Sequence, residues 1–77
     1  MNLIELYAAG NRHLGREYLR MNGITGYSVI RAWEGPGWNV FADTSNSCGF
    51  RETETYRTLH EARNAARRAN AAIAIVT

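Results

Sequence analysis

Apolar positions recur along this chain with two different periods, and each change of period marks a new element. From Leu3 to Met21 the spacing is helical: Leu3, Tyr7, Leu14, Tyr18 and Met21 fall on one stripe, with Gly10 on the same line. Asn2 and Glu5 stand at capping-box spacing at its start. Asn22-Gly23 is a stop, because either residue tolerates the left-handed conformation at a helix end. Gly10 would let a neighbouring backbone approach closely, although Gly10 and Gly15 each cost a helix about 1 kcal/mol relative to alanine.

The period then falls to two. Gly26–Trp33 sets Tyr27, Val29, Arg31 and Trp33 against Ser28, Ile30 and Ala32. Trp38–Asp43 sets Trp38, Val40 and Ala42 against Asn39, Phe41 and Asp43. Glu34-Gly35-Pro36-Gly37 makes a tight turn between them. A polar loop leads to a third strand, Gly49–Tyr56, where Glu52 and Glu54 alternate with Arg51, Thr53 and Thr55. Such short connections predict an antiparallel meander. Both sets in the first two strands hold apolar residues, which predicts a sheet covered in part on both faces. The charges of the third mark it as an exposed edge.

Helical spacing returns at Thr58, which caps a helix with Glu61 at capping-box distance. Its buried stripe is Leu59, Ala62, Ala65, Ala66, Ala69, Ala72 and Ile73. The tail AIAIVT fits either the end of this helix or a short fourth strand. The sum is one α+β domain over residues 1–77, of order αβββα: a three-stranded antiparallel sheet with an N-terminal and a C-terminal helix. The pattern leaves open whether the helices share one face of the sheet. If they do, Ile30 and Phe41 form an exposed apolar patch.

Composition narrows the class. Of the 77 residues 45% are apolar and 21% charged, as in an ordinary globular domain. The one cysteine excludes an internal disulfide, so packing alone holds the fold. No apolar run approaches the roughly 18 residues of a membrane span, and the N-terminus lacks the basic start of a secretory signal. A cytoplasmic protein is expected. All nine basic residues are arginine, for a net charge of +2. Arginine suits interfaces, since its planar fork binds carboxylate and phosphate and stacks on aromatic rings; a GC-rich bacterial or phage genome favours it as well. Arg12, Arg16 and Arg20 are four apart on one helix face. Arg63 and Arg67 lie one turn apart on the last helix, with Arg68 beside them. Each face reads either as a solvated surface or as a basic ridge for an acidic partner or a phosphate backbone.

Little points to covalent chemistry. Cys48 sits in a polar loop with no helix N-terminus to lower its pKa, and His13 and His60 read as surface residues, His13 within reach of Glu17. No ligand spacing suggests a metal, so neither a catalytic residue nor a cofactor is expected.

Two resemblances suggest binding functions. From Tyr27 to Ala72, through Trp33, Trp38 and the tract TYRTLHEARNAARRAN, the chain resembles the three-strand-plus-helix DNA-binding domain of ethylene-response factors and phage integrase arms. That resemblance implies a sheet in the major groove, with Arg31, Arg51, Trp33 and Trp38 touching DNA. Glu34, Asp43, Glu52 and Glu54 depart from it, because DNA affinity rests largely on phosphate neutralisation. In size, arginine-only basicity and αβββα order the whole chain resembles small phage anti-CRISPR proteins. That resemblance implies a non-catalytic inhibitor that docks on a CRISPR effector, a type I surveillance complex for example, and blocks target DNA binding or nuclease recruitment. Its expected anchors are Trp33 and Trp38, with Arg12, Arg16, Arg20, Arg31, Arg63, Arg67 and Arg68 as charged contacts. Either tryptophan could equally be core. The chain is expected to act as a monomer or weak homodimer.

Overall fold

The computed structural model of the protein describes residues 2–46, 49–52 and 55–77. They form α1 (Leu3–Gly10), α2 (Arg12–Asn22), β1 (Ile24–Arg31), β2 (Trp38–Thr44), β3 (Phe50–Arg51) and α3 (Leu59–Val76). The sheet is antiparallel in the order β1-β2-β3, with helices before and after it, as expected of the α+β class.

The N-terminal helix, expected as one rod, is two. Asn11 leaves helical geometry at φ −155° and ψ 85°. Its N–H closes α1 on the Tyr7 carbonyl at 2.7 Å, and its side-chain oxygen accepts from the Leu14 N–H at 3.1 Å to open α2. Asparagine competes with the helical ladder in this way wherever it can cap a new turn. The break shifts the phase, so the expected stripe is not the buried one. Leu3, Leu14 and Met21 are exposed, and Ile4, Gly15 and Leu19 are buried instead. Gly10 meets nothing at close range. The close approach belongs to Gly15, where a Cβ would stand 2.8 Å from Val76 Cγ1 and 2.9 Å from Tyr7 Cβ. Gly23, at φ 65°, ends α2 as expected.

Register assigns the two faces of the sheet. Tyr27↔Ala42, Val29↔Val40 and Arg31↔Trp38 share one face, and Ser28↔Phe41 and Ile30↔Asn39 share the other. α3 packs on β1 and β2, α2 packs on β1, and α1 packs on the other two helices. The core is therefore one layer, with Tyr27, Val40 and Ala42 meeting the alanine stripe of α3 from Ala62 to Ala72 and Val76. Small side chains let that helix lie close on the strands. The expected cover on both faces is not found. The N-terminal helices pack against α3 rather than crossing to the far side.

The third strand is shorter than expected. Its ladder holds Phe50 and Arg51, and a bridge joins Trp38 to Tyr56 further on. Thr53, Glu54 and Cys48, which entered the sequence reading, lie outside the described residues. Glu52, expected on the exposed edge, turns to the helix side. Its Oε1 accepts from the Tyr18 and Tyr27 hydroxyls, both at 2.7 Å. Buried phenols need an acceptor, and a carboxylate two residues from Phe50 reaches both.

At the opposite edge Asn70 of α3 brackets β1. Its Oδ1 accepts from the Tyr27 N–H at 2.9 Å and its Nδ2 donates to the Tyr27 carbonyl at 3.0 Å. α3 opens on Thr58, whose Oγ1 accepts from the Glu61 N–H at 3.1 Å, and runs helical to Val76, which resolves the tail as helix. No described helix is long and apolar enough to cross a membrane.

Candidate docking surface

With every helix on one side, the Ser28, Ile30 and Phe41 face of the sheet has no helix or strand over it among the described residues. Ile30 and Phe41 are half-buried there, and Trp33 stands against Phe41 from the β1–β2 turn. The Trp33 ring meets Phe41 edge-on, centroids 5.9 Å apart at 83°, yet remains 72% exposed. Phe41 in turn lies over Gly49, where a Cβ would stand 2.1 Å from the ring and 2.6 Å from the Ala42 carbonyl. Only glycine leaves room for that ring. Polar groups surround the aromatics: the Ser28 hydroxyl donates to Asp43 at 3.0 Å, and Arg51 stands opposite Phe41 in the ladder. Arg51 makes no hydrogen bond or ion pair among the described residues.

Beside Trp33 the surface dips into a cleft of about 390 Å³, lined by Ala32, Trp33, Glu34, Asn39, Arg51 and Thr55. Asn39 is 1% exposed although it sits on the open face. Its Oδ1 accepts from the Thr55 hydroxyl at 2.9 Å, while its Nδ2 is buried with no partner.

The residues nominated from sequence do not form one surface. Trp33 and Arg51 are the ones that stand on the open face. Trp38 packs against the core with the Arg31 guanidinium 4.9 Å from its ring centre, so these two satisfy each other on the helix side. Arg16 donates from Nε to the Val76 carbonyl at 3.1 Å, capping α3. Arg20 pairs with Glu17, and that hydrogen bond holds the Glu17 carboxyl below its usual value. Glu17 is thereby committed to Arg20 rather than to His13. Arg68 ties α3 to Glu5 of α1 at 3.3 Å, and Arg67 donates to Asn64 at 3.0 Å. Arg12 and Arg63 are exposed and make no hydrogen bond or ion pair among the described residues. Of the expected basic ridges, Arg16 and Arg68 link helices, while Arg20 and Arg67 bond within their own.

No protein-family model, curated protein or solved structure matches this chain.

Sequence reasoning passed over Asn39 and Thr55. Asn39 occupies a polar position in a clean alternation, the pattern of a solvated residue, and its burial depends on Thr55, sixteen positions away. The visible signal was Trp33, an indole in a turn next to glycine and proline. Among the described residues no three His, Cys, Asp or Glu side chains gather as a metal site would require.

Proposed function

We propose that this chain is a non-catalytic inhibitor of the anti-CRISPR type, docking on a CRISPR effector such as a type I surveillance complex in the host cytoplasm and blocking target DNA binding or nuclease recruitment. The observation that carries the docking half is the one-sided helix cover, which leaves Trp33, Phe41 and Ile30 open within a rim of Arg51, Ser28 and Asp43. An aromatic anchor over an apolar floor inside a polar rim is the anatomy of a protein interface. The choice of partner rests on the resemblance in size, arginine-only basicity and αβββα order. The test is capture by the tagged protein from a bacterial lysate that carries CRISPR effectors, with and without nuclease and high salt. A defined effector complex that survives both treatments supports the reading.

One observation favours a second reading, a small nucleic-acid-binding domain. Glu52 turns inward, so the open face is less acidic than the sequence suggested, and Arg51 there has no ion-pair partner among the described residues. Glu34 and Asp43 still oppose phosphate. Recovery of nucleic acid alone, lost steeply as salt rises, would replace the first reading with this one.

A further inference from the structure

We propose that the cleft beside Trp33 is a subsite for a carboxylate, the side chain of an aspartate or glutamate presented by a protein partner; this rests on the docking reading of the open face. Asn39 lines the cleft, and its Nδ2 is buried with no acceptor among the described residues. An unpaired buried amide donor is costly, and a small shift of the side chains that close it off would let an incoming oxygen relieve that cost. The Thr55 hydroxyl donates to Oδ1, which leaves the NH2 group as the unsatisfied end. Arg51 adds a guanidinium on the same lining that has no ion-pair partner among the described residues, and its planar fork matches a carboxylate. Trp33 and Ala32 supply an apolar wall beside these donors.

Glu34 is the opposing charge at this site, in the exposed turn. Its presence selects among anions. One carboxylate balances Arg51, whereas a phosphate near two negative charges meets stronger repulsion from the same Glu34. The cleft, at about 390 Å³, also exceeds what a free carboxylate fills. The remaining space suits the chain that carries an acidic side chain.

The test is a titration of the full 15N-labelled protein, following the Asn39 side-chain NH2 and the Trp33 indole N–H by NMR. The probes are N-acetyl-glutamate amide, its neutral glutamine counterpart and inorganic phosphate. Saturable shifts with the glutamate probe alone, weakened about 10-fold or more in Arg51→Gln, are expected. Arg51 is exposed, so that variant folds. Asn39→Asp, which places a negative charge against the ligand, abolishes the response. An equal response to the glutamine probe, or an unchanged affinity in Arg51→Gln, overturns the proposal. Tighter binding of phosphate also overturns it, in favour of a nucleic-acid backbone. If the glutamate probe binds and no effector is captured, the docking reading fails and the subsite stands. Capture without probe binding means the reverse.

Discussion

Gly49 shows how one position sets the shape of the open face. The Phe41 ring rests where its Cβ would be, and the Ala42 carbonyl at 2.6 Å belongs to the ladder and cannot yield. Gly49→Ala is expected to lower stability by about 1–3 kcal/mol through overpacking, read as an earlier midpoint in urea unfolding. Tyr27 and Tyr18 carry a second residue-scale consequence. Burial first, and then the hydrogen bond to Glu52, push both hydroxyls well above the usual tyrosine value. The unfolded chain therefore loses these protons first, near pH about 10. The stability they contribute is whole below that pH and declines as pH rises from there toward the folded values. Melting curves are expected to show a Tm that falls between pH 9 and pH 11, and falls less in Tyr27→Phe. That variant also loses about 1–3 kcal/mol at neutral pH, because it leaves the Glu52 carboxylate short of a donor. Neither effect could be read from the alternation, in which Glu52 looks like one more charge on an edge.

At the scale of elements, Asn70 does for β1 what a neighbouring strand would do. It satisfies the Tyr27 N–H and carbonyl on the outer edge of the sheet. Asn70→Ala is expected to cost about 1–3 kcal/mol and to speed hydrogen exchange at the Tyr27 amide; unchanged exchange there would rule out the bracket. Legibility in the sequence followed how many signals agreed. α3 was readable because cap, stripe and charge placement all name the same helix, from Thr58 through Ala72. The β1–β2 hairpin was readable for a similar reason, with alternation on both sides of a Gly-Pro-Gly turn. The N-terminal rod was misread because Leu3 and Leu14 share a phase only in an unbroken helix, and Asn11 can either continue a helix or cap the next. The choice is made by packing: α1 folds against α2 and α3, and Gly15 admits Tyr7 and Val76. The fate of β3 lay in partners far along the chain, Tyr18 and Tyr27, which no local pattern displays.

For the whole molecule, the one-sided arrangement of helices separates two kinds of surface. The helix side carries most of the arginines, and two of them hold helices together, Arg16 through Val76 and Arg68 through Glu5. The sheet side carries Trp33, Phe41 and Ile30 with a donor-lined cleft. The two tryptophans, equivalent in the sequence, should behave as opposites. Trp38→Ala removes a ring packed on the core and is expected to cost about 3–5 kcal/mol of stability. Trp33→Ala is expected to leave stability within about 0.5 kcal/mol, as thermal denaturation of both variants would show. The central claim is that the open sheet face docks the partner. Its most direct test is the affinity of wild type, Trp33→Ala and the double variant Arg12→Ala/Arg63→Ala for a purified type I surveillance complex, each first shown to be folded. The account predicts that Trp33→Ala loses about 2 kcal/mol or more of binding, while the arginine variant changes chiefly the association rate and its salt dependence. Wild-type affinity in Trp33→Ala, or no binding by the wild type itself, would contradict it.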